Sequence, residues 1–109
     1  MTGLADNNCR RPSETTALTD DQISALLNHL PDWKRDHNQI QKEFKFNDYY
    51  QTIDFVNAVA AIAHQQDHHP ELTVNYNRCL ITYRTHSVGG LSENDFICAA
   101  KVDAIISQD

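Results

Sequence analysis

The sequence predicts a two-layer α+β domain, a four-stranded antiparallel sheet with three helices packed on one face in the order α-β-β-α-β-β-α. Three observations carry that prediction. Apolar residues recur at helical spacing in segments that open with a capping residue. Between those segments the apolar residues alternate with period two. The alternating segments also come in pairs whose connections are short enough to be hairpin turns. The chain of 109 residues suffices for one such domain and is too short for two ordinary ones.

The elements follow in order. Residues 1–17, rich in Asn, Arg, Pro, Ser and Thr, lack apolar periodicity and read as a flexible leader outside the fold; the single domain is expected over 18–109. Thr19 and Gln22 form a capping box, and Ile23, Leu26, Leu27 and Leu30 give the first helix its apolar stripe before Pro31 closes it. A short strand over Trp33–Asp36 turns at His37-Asn38 into a second strand from Gln39. In that strand Ile40, Phe44 and Phe46 share one side, which Lys42 interrupts. Asp48 and Gln51 make another capping box for a helix to about Gln65, with Phe55, Val56, Val59, Ala60, Ile62 and Ala63 at helical spacing. Leu72–Tyr76 and Cys79–Tyr83 form the second hairpin, turning at Asn77-Arg78. Gly89-Gly90 breaks the chain before Ser92 and Asp95 open the last helix, whose buried side is Ile97, Ala100, Ile105 and Ile106, flanked by Val102.

Composition restricts the function. The chain is 40% hydrophobic and 22% charged, as soluble globular proteins are. Fifteen acidic against nine basic side chains give a net charge of −6, which disfavours direct nucleic-acid binding, because that needs clustered cations. No apolar run nears the roughly 18 residues of a membrane span. There is no secretory pattern at the N-terminus, and Asp6 and Glu14 dilute the import signal that Arg10 and Arg11 could give. Cys9, Cys79 and Cys98 are odd in number and widely spaced, so a reducing, cytoplasmic setting is expected.

The chemistry gathers around histidines. His64 and His68 are four apart, and His68-His69-Pro70 makes a rigid exit from the second helix. His86 ends the last strand, and the hairpin carries it back beside that exit, so that His68, His69 and His86 share one end of the sheet. Imidazoles suit proton transfer near pH 7, one accepting while another delivers, with Asp67 or Glu71 holding a tautomer. Two other readings of the same residues stay open. His68 and His69 can simply end a helix while His86 lies on the surface, or His64 and His68 can ligate a metal with His69, Asp67 or His86 as a third donor. The HxxxH pair lacks the glutamate of HExxH. No P-loop, GxGxxG or GxSxG occurs, and Gly89-Gly90 is one weak anion site near a helix N-terminus. Cys79, Trp33 and Phe44 read as core.

His64-x3-His68-His69-Pro70, followed by Tyr76, His86 and Asp95, together with the run Thr85–Asp95, resembles the signature of the pterin-4a-carbinolamine dehydratases. Weaker similarity extends over Leu18–Ile106. The resemblance implies dehydration of a 4a-hydroxytetrahydropterin to the quinonoid dihydropterin, which recycles the pterin released by aromatic amino-acid hydroxylases. It implies His68, His69 and His86 as active-site residues, with His68 and His86 as acid and base and His69 orienting the pterin or sharing the base role. His64, Asp67, Pro70, Glu71, Tyr76 and Asp95 would bind substrate or support the site. Neither cofactor nor metal is implied. A homodimer or homotetramer is expected, and some relatives serve as dimerisation cofactors of a transcription factor, a non-catalytic role that would place the protein in the nucleus as well. Two departures stand out: His64 replaces a glutamate found in many members, and Leu72 stands where an aromatic residue is common.

Overall fold

The computed structural model describes residues 3–106; the outermost positions of the expected leader and domain, 1–2 and 107–109, lie outside the described residues. The helices are α1 (Asp20–Leu27), α2 (Tyr49–Gln66) and α3 (Glu93–Ile106), and the strands β1 (Lys34–Asp36), β2 (Gln39–Lys45), β3 (Glu71–Val74) and β4 (Arg78–Tyr83). All neighbouring strands are antiparallel, in the spatial order β1-β2-β4-β3. The architecture is the expected one.

Register explains the core. Ile40 lies opposite Tyr83 and Phe44 opposite Cys79, so one face of the two central strands is apolar. That face is buried with Ile23 and Leu30 near α1, Phe55 and Val59 from α2, and Phe96, Ala99 and Val102 from α3. Trp33 meets Phe44 edge-on at 6.2 Å. Lys42 opposes Ile81 on this same face. Its ammonium lies over the Phe44 ring, 4.6 Å from the centroid, and reaches Asp103 on α3 at 2.8 Å, so the charge is paired at the rim of the core rather than in it. Asp103 also accepts from the Trp33 indole.

Local chemistry sets the helix ends. Thr19 and Gln22 form the reciprocal capping box. At α2 the Asp48 carboxylate accepts from the Gln51 amide, but the Gln51 side chain returns to the Asn47 N–H, one residue earlier than a strict box requires. α2 ends where Asp67 adopts the left-handed conformation (φ 50°) and the His68 N–H bonds back to the Ala63 carbonyl, a Schellman-type termination. On α3, Val102 is wholly buried and Ile106 is exposed, the reverse of the expected emphasis, because the buried stripe runs through Asn94, Asp95, Cys98 and Val102.

The leader corrects the sequence expectation. Residues expected to lie outside the fold are laid against α3 and the end of α2 instead. The Ala5 carbonyl accepts from Lys101, the Cys9 N–H donates to Gln66, and the Asn94 side chain exchanges two hydrogen bonds with the Arg10 backbone. Cys9 Sγ lies 3.3 Å from Cys98 Sγ. Polar composition gives no sign of this because the attachment is made by backbone hydrogen bonds to Lys101, Gln66 and Asn94 side chains and by single apolar residues, Leu4 and Cys9, rather than by a periodic apolar stripe.

Candidate active site

The second hairpin builds the site by returning the chain to its own starting point. β3 leaves from the His68-His69-Pro70 exit of α2, and Glu71 pairs with Thr82 near the end of β4. β4 closes at Tyr83, three residues earlier than a strand ending at His86 would require. Thr85 then bridges to Gly90, and His86 opens a single 3-10 turn, His86–Val88. Gly89 at φ 66° ends that turn, a conformation in which a Cβ would be strained. The turn holds His86 at the expected end of the sheet.

A cavity of ≈ 290 Å³ there is lined by His68, His69 and His86, together with Asp67, Arg84, Ser87, Arg10, Pro12 and Asn94. Its size is at the lower end of small-molecule sites, roughly 300–1,000 Å³. The three histidines singled out in the sequence therefore face one space. Asp67 joins them, and Pro70 supports the exit without lining the cavity. Three other candidates are not brought in. His64 is exposed on α2, and Glu71 is exposed at the start of β3. Tyr76 lies at the opposite end of the hairpin, where its ring stacks on Tyr49 and its carbonyl accepts from Thr52. Among the described residues, no group of His, Cys, Asp and Glu side chains comes together with metal-ligand geometry.

His68 is the most constrained of the three. Its Nε2 lies 2.7 Å from Asp95 Oδ1, with the His68 side chain 12% exposed and that of Asp95 wholly buried. Its ring also stacks on Tyr83, 5.8 Å between centroids and 6° from parallel. Asp95 is itself held: Oδ2 accepts from the Thr85 hydroxyl at 2.8 Å and from the Ser92 N–H at 3.0 Å. The Ser92 bond is one arm of the expected capping box; the Ser92 hydroxyl turns to Thr85 instead, at 2.7 Å. One carboxylate thus closes the first turn of α3 and anchors the imidazole.

Burial alone would lower the His68 pKa, but the hydrogen bond and charge of Asp95, with Cys9 and Asp67 adding to them, carry it above the usual imidazole value. Nε2 is occupied by Asp95, leaving Nδ1 as the ring nitrogen able to exchange a proton. Residue chemistry alone points to Asp67 or Glu71 as the tautomer-holding acid; the geometry gives that position to Asp95. Ser92-x-x-Asp95 announces a helix start, and nothing in that spacing announces a histidine partner. Thr85 and Asn94 lie in the run that carries the family resemblance, which gives them no role, and Arg10 carries no sequence signal for a site.

Cys9, beside this cluster, has its thiol pKa lowered by the hydrogen bond from Cys98, while burial opposes the shift. Cys79 lies in the core, its thiol pushed up by burial.

Comparison with known proteins is consistent with this geometry. A protein of Nitrosospira multiformis, provisionally named a pterin-4-alpha-carbinolamine dehydratase, is 51% identical over 104 residues, covering 94% of this chain and 91% of its own. A protein of Bdellovibrio bacteriovorus with the same provisional name is 56% identical over 93 residues, covering 82% of this chain and 78% of its own. The crystal structure of a transcriptional coactivator/pterin dehydratase from Brucella melitensis superposes with a TM-score of 0.80 at 35% identity, over 83% of this chain and 98% of that one. A pterin dehydratase-like protein described as a RuBisCO assembly factor in the alpha-carboxysome superposes at 0.58 with 27% identity, over 71% of this chain and 89% of that one. The pattern defining the family described as pterin 4 alpha carbinolamine dehydratase matches residues 16–105. With the sequence pattern, the fold and near-full-length relatives in agreement, this chain belongs to the pterin-4-alpha-carbinolamine dehydratase family.

Proposed function

We propose that the protein dehydrates 4a-hydroxytetrahydropterin to quinonoid dihydropterin and water by histidine acid–base catalysis. The observation that carries this reading is the convergence of His68, His69 and His86 on one cavity, with His68 anchored by the buried Asp95. The reaction breaks the C4a–O and N5–H bonds and forms a C4a=N5 double bond. Hydroxide is a poor leaving group, so a proton must reach the departing oxygen while another leaves N5. An imidazole biased toward its protonated form by a carboxylate suits the first task, which assigns the acid role to His68. His86, on the adjoining turn, accepts the N5 proton in this reading, and His69 orients the ring or shares the base role. Each such transfer contributes about 10²- to 10⁴-fold.

Family membership supports extending this reading to recycling of the pterin released by aromatic amino-acid hydroxylases, in the cytoplasm and as a homodimer or homotetramer. A second reading, a non-catalytic assembly protein, has one specific observation behind it, the similarity to the carboxysomal assembly factor. The two separate in one experiment. Freshly generated 4a-hydroxytetrahydropterin is followed by its ultraviolet decay with folded protein, with heat-denatured protein and alone. Acceleration by the folded protein alone is the expected result; identical decay in all three removes the catalytic reading and leaves the second.

A further inference from the structure

The N-terminal segment contributes Arg10 and Pro12 to the lining of the histidine cavity. Asn94, on the first turn of α3 and nearly inaccessible, spends its amide on this segment. Its Oδ1 accepts from the Arg10 N–H and its Nδ2 donates to the Arg10 carbonyl, both at 2.9 Å. Cys9 on one side is held by Gln66 at 2.7 Å and touches Cys98. Pro12 on the other side begins a 3-10 turn. The Arg10 backbone is thereby fixed, while its exposed side chain makes no hydrogen bond or ion pair among the described residues; Arg10 lines the histidine cavity and also a neighbouring one with Glu14 and Glu93. Arg11, its neighbour, is paired with Glu14 and does not line the histidine cavity.

Charge supports a binding role. The chain carries a net charge of −6, yet the charged residues lining this cavity apart from the histidines are Arg10 and Arg84 against Asp67. A cavity with excess cations in an acidic protein favours an electron-rich ligand. A guanidinium presents donors in a planar fork that matches two neighbouring acceptor oxygens. A 4a-hydroxytetrahydropterin carries such a pair, the C4 carbonyl oxygen and the C4a hydroxyl.

We propose that Arg10 and Pro12 form a wall of the active site, that Arg10 binds the oxygen-bearing edge of the pterin at C4 and C4a, and that Asn94 is the positioning residue that presents it. This inference rests on the dehydratase reading and adds to it a binding residue outside the histidine motif.

Steady-state dehydration by the full-length protein tests it, comparing wild type with Arg10→Ala, Arg10→Lys, Asn94→Ala, the Arg10→Ala/Asn94→Ala double variant and Arg11→Ala as the neighbouring control. Loss of one charge-assisted hydrogen bond at an accessible site raises KM about five- to tenfold in Arg10→Ala, with kcat changing less. Arg10→Lys recovers part of the loss, because a point charge lacks the fork. The double variant is no worse than Arg10→Ala, since Asn94 acts through Arg10, and Arg11→Ala matches wild type. An unchanged KM in Arg10→Ala overturns the inference while leaving the dehydratase reading intact, and additive losses in the double variant overturn the role of Asn94. Equilibrium binding of a stable dihydropterin, read by fluorescence, covers a protein that binds without turnover. Weaker binding by Arg10→Ala then supports the site even though the reaction fails, and equal binding, or none by wild type, overturns it.

Discussion

His68 and Asp95 stand 27 positions apart in the chain and 2.7 Å apart in space. That bond joins the exit of α2 to the first turn of α3. It links fold and chemistry, because the carboxylate that closes a helix start also sets the protonation of the imidazole in the cavity. The Thr85 hydroxyl and the Ser92 N–H hold the other carboxylate oxygen, so the acid has little freedom to turn away from the ring.

Asp95→Asn preserves size and removes charge. Burial of His68 then acts with little opposition, and the His68 pKa moves from above the ordinary imidazole value toward or below it. Titration of the His68 ring by NMR checks the direction. Turnover falls by about tenfold or more as the acid form is depleted, and stability falls by about 1–3 kcal/mol from the altered buried hydrogen bonding.

The same pair makes stability depend on pH. Because the folded-state pKa of His68 is raised, its contribution is fully present below the unfolded value of about 6.5 and is lost as pH rises through the higher folded value. Thermal unfolding of wild type and His68→Gln across this window shows the effect. The advantage of wild type over the variant is largest on the acid side and shrinks as pH rises.

Tyr83 supports the ring by stacking, and its buried hydroxyl has no hydrogen-bond partner among the described residues. Tyr83→Phe retains the stacked ring and removes an unpaired polar atom. Stability therefore stays level or rises by up to about 1 kcal/mol, with the dehydration rate unchanged. Denaturant unfolding and the decay assay on the same sample check both parts.

At the far side of the core Asp103 joins the Trp33 indole to the Lys42 ammonium. Asp103→Ala leaves both donors without this acceptor and costs about 1–2 kcal/mol. Lys42→Met gives up the ammonium over Phe44 and its ion pair but leaves no donor unpaired, and it costs less. Comparing the two denaturation midpoints at constant pH tests that order.

The fold was legible because its periodicities are local. The Thr19–Gln22 box, the alternation through Ile40 and Phe44, and the short hairpin turns each act within a few residues. The three histidines were legible because a hairpin must return the chain to its start, so even a wrong assignment of His86 to a strand placed it at the correct end. What escaped was long-range and polar. The resemblance names Asp95 as a supporting residue but not its bond to His68; that bond, like the hold of Asn94 on Arg10, depends on where α3 crosses the sheet rather than on local spacing. Tyr76, which the resemblance groups with the site, lies instead at the opposite end of the hairpin against Tyr49, because β3 carries the chain away from the histidines.

The most direct test is the decay of 4a-hydroxytetrahydropterin with wild type, His68→Ala, His86→Ala and the double variant, each shown to be folded by circular dichroism. The account predicts acceleration by wild type, a loss of about 10²- to 10⁴-fold in each single variant, and a double variant little worse than either, because acid and base serve one step. Folded His68→Ala and His86→Ala proteins that dehydrate the pterin at the wild-type rate would contradict it.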